Sequence, residues 1–109
     1  MRILTFILCL LSFNAFAEVT PEQFAKIKEQ AEKGDAVAQC NLGVYYYKGE
    51  GVLKDLVEAY AYYNLAGITL EDARENRDNL EKEMTPSQRE AGVKRSKELQ
   101  AEIEARRKK

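Results

Sequence analysis

Residues 31–67 read AEKGDAVAQCNLGVYYYKGEGVLKDLVEAYAYYNLAG, and this stretch decides the fold. Two apolar runs at helical spacing flank the turn Gly49-Glu50-Gly51-Val52. Asp35 is placed to cap a helix over 36–48, and Asp55, with Glu58 three residues on, to cap the next. Two glycines two apart permit the positive φ that a tight reversal needs. The first helix of the pair is apolar almost all round. Ala38, Leu42, Tyr45 and Tyr46 make one face; Ala36, Cys40, Val44 and Tyr47 make another; only Asn41 and Lys48 form a narrow polar strip. Such a helix is packed on both sides. One side can be covered by neighbouring helices of the unit, and the other by C-terminal helices or by a partner. The second helix has an inner stripe of Leu56, Ala59, Tyr63 and Ala66, widened by Tyr62 and Leu65, and Gly67 is expected to end it.

Outside this pair the same signals recur. Thr20-Pro21-Glu22-Gln23 is a capping box with Pro at N1, and Phe24, Ile27 and Ala31 follow as a stripe that Gly34 ends. Thr69 is expected to cap a helix over 70–84 with a thin stripe of Ala73, Leu80 and Met84, the stem of Arg77 lying in the same row. Thr85-Pro86-Ser87-Gln88 repeats the capping box and opens a helix over 86–105. Its row of Gly92, Ser96, Leu99 and Ile103 is weakly apolar, so its outer half is expected to fray or project. Gly92 either admits a close helix crossing or weakens the helix by about 1 kcal/mol. The chain reads as all-α, an antiparallel helix-turn-helix repeat with flanking capping helices, about five helices in total.

At the N-terminus, Arg2 precedes the apolar run Ile3 to Phe13, and Ala15-Phe16-Ala17 supplies a small-x-small cleavage pattern. Residues 1–17 are therefore expected to be a signal peptide. The run falls short of the ~20 residues a membrane span needs, and Cys9, inside the run behind the bulky Leu8, does not suit lipoprotein processing. The remaining residues, 18–109, suffice for one small domain. The whole chain carries 17 Lys plus Arg against 18 Asp plus Glu, a net charge of −1, which argues against a nucleic-acid footprint. Cys40 is the single cysteine after residue 17, so no internal disulfide can form there; burial as a small hydrophobe competes with pairing between chains.

Residues 31–67 resemble the Sel-1-like repeat, a relative of the tetratricopeptide repeat. Ala31, Gly34, Asp35, Ala38, Gln39, Leu42, Gly43, Tyr46, Gly49, Gly51, Val52, Asp55, Ala59 and Ala66 stand at positions the family favours. Tyr62 stands where the family often has Trp, and Gly67 replaces a frequent Ala. The resemblance implies a core repeat over 31–67, a preceding half-unit, and C-terminal capping helices over 70–84 and 86–105. It also implies protein binding. Multi-repeat members present a long concave groove, which one repeat cannot make.

No histidine and no tryptophan occur in the chain, so His-based triads and His-containing zinc sites have no residues to build them. Gly49-Glu50-Gly51-Val52 lies between helices and not after a strand, unlike a phosphate loop. The carboxylates Glu71, Asp72, Glu75 and Asp78 alternate with Arg74, Arg77 and Lys82 as surface ion pairs do. The reading is a non-enzymatic module without cofactor or metal.

Three consecutive tyrosines on a helix span about 200° and cannot share a face. Tyr46 with Tyr62 or Tyr63 is expected in the core, and at least one of Tyr45, Tyr47 and Tyr60 at the surface. The candidate partner-binding set is Cys40, Asn41, Val44, Tyr45 and Tyr47, because this helix lines the concave side in relatives of the fold. The expected role is an exported, periplasmic or secreted adaptor for a protein partner, neither nucleic-acid-binding nor integral to a membrane once cleaved; a narrower version is an inhibitor or immunity-type binder. The alternative is a self-associating envelope protein that stacks through repeat ends or forms a homodimer through Cys40. The tail Arg106-Arg107-Lys108-Lys109 reads as favourable charge at a helix C-terminus, with contact to an anionic membrane or partner as the sharper reading.

Overall fold

The computed structural model describes residues 18–108; the segment read as a signal peptide lies outside them. Within these residues the chain forms five α-helices and no strand: α1 (Pro21–Glu32), α2 (Ala36–Lys48), α3 (Leu56–Ala66), α4 (Glu71–Glu81) and α5 (Pro86–Arg107). The all-α reading holds, and so do most of the caps. Thr20 Oγ1 accepts from the Gln23 backbone N–H at 3.1 Å while the Gln23 side chain accepts from the Thr20 N–H at 3.0 Å. Thr85 and Gln88 make the same reciprocal pair at 3.1 and 2.9 Å. Asp35 and Asp55 each accept from the backbone N–H three residues on, at 3.0 Å. In the α2–α3 turn, Gly49 and Gly51 have φ of 73° and 76°, a conformation that a side chain would strain.

Thr69 departs from expectation. The fourth helix is capped by Leu70, without a side-chain bond, and runs only to Glu81. The reason is that α3 does not stop cleanly. Backbone bonds from Gly67 to Tyr63, Thr69 to Ala66 and Leu70 to Ala66 carry the winding through 67–70. The Arg74 guanidinium donates to the Gly67 carbonyl at 2.6 Å and so satisfies the end of α3, while Glu71 and Asp72 lie in the first turn of α4, where the helix dipole favours negative charge. Residues 82–84 tighten into three-residue-spaced bonds, since Thr85, before a proline, is held extended at φ −74°, ψ 161°.

The fifth helix also differs: it neither stops at 105 nor frays. Leu99 and Ile103 are buried in the cluster that also holds Ala61, Tyr62 and Leu65 of α3 and Phe24 and Ala31 of α1. At its end Arg106 pairs with Glu32 at 3.4 Å, and the Arg107 guanidinium lies against Gly34. Half of the basic tail therefore ties the chain's end back to the α1–α2 junction.

Helix α3 is the centre of the fold. Ala59 to Tyr63, Leu65 and Ala66 are all buried, so the buried surface extends beyond the expected inner stripe to Tyr60 and Ala61. Small residues on its neighbours admit its rings: Gly43 of α2 faces the Tyr63 ring and Gly92 of α5 faces the Tyr60 ring, each closer than a Cβ would allow. Gly92 thus marks a close crossing. Tyr62 is 2% exposed and stacks on Tyr46 at 6.0 Å between centroids and 6° between planes. Burial of a ring of this size removes ~150–250 Å² from water, a gross gain of roughly 4–6 kcal/mol. Tyr60, among the tyrosines that could have reached the surface, is buried, with its hydroxyl donating to Glu81 at 2.5 Å; Tyr45, Tyr46 and Tyr47 are half-buried. Helix α5 is fixed to α3 by Arg95, whose Nε and Nη2 grip the Glu58 carboxylate at 3.0 and 3.1 Å. Gln39, the buried polar side chain of α2, donates to the Ala31 carbonyl at 3.1 Å and so satisfies the end of α1.

Two expectations follow. Gly92→Ala should lower stability: overpacking against the root of the Tyr60 ring costs about 1–3 kcal/mol, more than the ~1 kcal/mol that alanine adds to a helix. Thermal denaturation checks this, and a raised Tm would refute the close crossing. Second, burial raises the ionisation of Tyr62 and Tyr63; burial and then the bond to Glu81 push Tyr60 from 10.0 up to about 12. The fold favours the neutral phenols, so the stability they carry is complete below pH about 10 and is lost as pH rises through about 12. Tyrosinate absorbance should therefore rise late and together with loss of the helical signal. A full rise near pH 10 with the helices intact would contradict that packing.

Candidate protein-interaction surface

Helix α2 sends its residues in two directions. Cys40, Val44 and Tyr47, spaced by four and three, share one face and pack toward the cluster that contains Tyr63, Leu80 and Met84. Tyr45 turns to the other side, where its ring lies 6.2 Å from that of Phe24. There it borders a shallow hollow with Val19, Ile27, Lys26 and Glu50. Asn41 is half-buried and borders neither side's cleft. The five candidate residues are thus divided: three are brought together, Tyr45 faces away from them, and Asn41 stands between.

On the side of Cys40, Val44 and Tyr47, α4 leaves a cleft of about 320 Å³ against α2. Val44, Tyr63 and Leu80 form its apolar floor, and Tyr47, Lys48, Asn76, Asn79 and Glu83 its rim. Tyr63 holds the floor because Gly43 lets its ring lie flat on α2. At one end the Tyr47 hydroxyl donates to Glu83 Oε2 at 2.6 Å, a bond that raises the Tyr47 ionisation. Lys54 Nζ stands 5.5 Å from the centre of the same ring, within cation–π range. Cys40 lies deeper; its Sγ accepts from Asn76 Nδ2 at 3.8 Å. Burial raises the Cys40 thiol, the bond from Asn76 opposes this, and the charge of Asp72 adds to it.

Asn76, Asn79, Leu80 and Glu83 are the lining residues that sequence reasoning did not assign to the surface. A signal was present. Asn76 and Glu83 fall in the same row as Ala73, Leu80 and Met84, and polar residues inside a thin apolar row mark an incompletely closed joint. Among the described residues no cluster of His, Cys, Asp and Glu could hold a metal ion, and no helix is long and apolar enough to cross a membrane.

Antiparallel pairs stacked in sequence, with a small-residue seam and a Gly-x-Gly turn, define an all-α helical-repeat protein. No family model matches the chain. Over 63 residues it is 39% identical to the secretory immunoglobulin A-binding protein EsiB of Escherichia coli O6:H1 (strain CFT073), an alignment covering 58% of this chain and 12% of EsiB. The crystal structure of c5321, a protective antigen present in uropathogenic E. coli strains displaying an SLR fold, is similar with a TM-score of 0.73 and 29% identity. That likeness covers 76% of this chain and 18% of the c5321 chain. The described residues thus have the Sel-1-like repeat fold that residues 31–67 suggested. The chain spans less than a fifth of either relative.

The raised Cys40 thiol has a measurable consequence. At pH 8 the native protein should be alkylated by iodoacetamide more slowly than free cysteine, and Asn76→Ala should slow it further, because the bond that favours the thiolate is gone. Alkylation as fast as free cysteine in the folded protein would show that Cys40 is not held in this environment.

Proposed function

We propose that this chain is an exported, non-enzymatic interaction module that binds a protein partner along α2, with Val44 and Tyr47 as its anchors, Cys40 and Asn41 beside them, and Tyr45 on the helix's other side. The observation that carries this is the α2–α4 cleft, where apolar floor and polar rim meet on the helix that the repeat presents. EsiB is named for binding secretory immunoglobulin A, and its likeness to this chain supports another protein as the class of ligand. Export rests on the residue pattern of 1–17, which fits a signal peptide and a periplasmic or secreted destination. An inhibitor or immunity-type binder is the narrower form of this role. Catalysis is disfavoured by the chemistry at hand: no histidine occurs, and the Cys40 thiol is pushed away from its reactive form.

A second reading, self-association through repeat ends, is favoured by Val37 and Ile68. They are 59% and 66% exposed and stand at the same end of the α2–α3 hairpin. Cys40 is a weaker route to a covalent homodimer, being half-buried.

Affinity capture from the native envelope fraction by the tagged full chain tests the proposal. A single stoichiometric partner is expected, with its affinity lowered at least ~tenfold by Val44→Ala together with Tyr47→Ala, since truncating a buried anchor typically costs ~2 kcal/mol or more. Recovery of the chain alone, or a partner indifferent to both substitutions, would move the weight to self-association. Sedimentation with and without reductant would then separate stacking from a Cys40 disulfide.

A further inference from the structure

We infer that the hollow where α1, α3 and α5 end and α2 begins is a binding site for a free apolar α-amino acid. Arg107 takes its carboxylate, Glu104 and the Gln39 carbonyl take its ammonium, and Leu65, Ile68 and Ile103 take its side chain. This hollow shares no lining residue with the α2–α4 cleft, so it stands apart from the interaction-module reading. Its volume is about 260 Å³, just below the ~300–1,000 Å³ of ordinary ligand sites, which suits a molecule of one residue. Leu65 and Ile103 are buried while Ile68 is 66% exposed. The apolar wall therefore runs from the core out to the mouth.

Three polar groups border this wall with bonding capacity unspent. Gln39 is 4% exposed. Its amide nitrogen donates to the Ala31 carbonyl at 3.1 Å, and its own carbonyl oxygen has no partner among the described residues. An unpaired buried acceptor calls for a donor. The Arg107 guanidinium is placed over Gly34, where a Cβ would stand 3.3 Å from Cζ and 3.6 Å from Nε. Arg106, beside it, pairs with Glu32 at 3.4 Å. Among the described residues neither Arg107 nor Glu104 has a salt-bridge partner. The two lie three residues apart on one face of α5 and both border the hollow, yet they do not close on each other. A cation and an anion held apart beside an apolar wall complement a zwitterion with an apolar side chain. A protein's C-terminal residue would bring the carboxylate but only an amide nitrogen, leaving Glu104 without a cation.

The test titrates the full chain with L-leucine and follows its backbone and side-chain amide NMR signals. Leucine should give saturable shifts at Gly34, Ala36 and Ile68 and at the Gln39 NH₂. Glycine should bind about tenfold more weakly, having no side chain to bury. Leucinamide and N-acetyl-leucine, each lacking one charge, should also bind about tenfold more weakly, each losing a charge-assisted hydrogen bond. Arg107→Gln should weaken leucine to the same degree and no longer distinguish it from leucinamide. Glu104→Gln should no longer distinguish leucine from N-acetyl-leucine. Both positions are exposed, and unchanged signals elsewhere confirm that each variant is folded. The absence of any saturable shift with leucine would overturn the proposal. Equal affinity for leucine and N-acetyl-leucine would overturn the free amino acid in favour of a chain's C-terminal residue. Discrimination that survives both substitutions would overturn the roles of Arg107 and Glu104, and the site with them.

Discussion

The rest of the structure depends on finding room for the tyrosine rings of α3. Leu56–Ala66 is apolar except for Glu58 and Asn64, so no orientation of this helix leaves all its large apolar residues in water. It must be enclosed, and its rings project in different directions. Tyr62 meets Tyr46, Tyr63 meets Gly43, and Tyr60 meets Gly92. Each neighbour yields space at one point, by a glycine or by a ring that stacks. Packing at interior density tolerates little else, because even one added methylene is felt. The glycines of α2 and α5 therefore act as sockets, and they set the distance at which both helices close on α3.

The cleft follows from the same constraint. Tyr63 lies on Gly43 and reaches past it to line the space toward α4. Helix α4 packs on α3, with the ring between α4 and α2. Leu80 of α4 shares a cluster with Cys40, Val44 and Tyr47 of α2, and two polar bridges span the same border, Asn76 to Cys40 and, just past the end of α4, Tyr47 to Glu83. A wider aromatic wedge in the core thus opens a gap at the surface. Where a third helix would otherwise seal the apolar face of α2, Val44 and Tyr47 remain half-buried. Core and site are two ends of one packing solution.

Much of this was legible in the residues. Helix starts follow from side-chain oxygens that can reach a backbone N–H, and Thr20, Asp35, Asp55 and Thr85 all do so. The α2–α3 turn follows from two glycines that tolerate positive φ. What escaped was decided between elements. Thr69 looked like a cap, but backbone bonds continuing from α3 used that segment, and α4 begins after Leu70 with no side-chain cap. The outer half of α5 looked too polar to pack, yet Leu99 and Ile103 suffice to join the cluster that α3 and α1 share, and Arg106 pairs with Glu32 beyond them. The candidate contact set was drawn from α2 alone, and so it omitted the half of the cleft that α4 supplies.

The likeness to EsiB and c5321 bears on how such a small unit stays folded. Stacked repeats usually require about three units, because each covers its neighbour's apolar face. This chain spans 12% and 18% of those relatives, and within it the two helices that flank α3 differ in how they meet solvent. The composition of α5 is mostly polar: Arg95 grips Glu58 inward while Glu98 and Glu102 surround it at the rim. A helix can then present an almost wholly charged outer surface and still be anchored by three inward groups, Gly92, Leu99 and Ile103. On α2 no comparable polar covering exists, for its strip is Asn41 and Lys48 alone. That asymmetry, one helix covered in charge and another left partly apolar, is the physical support for the proposal that α2 and its border with α4 meet a partner.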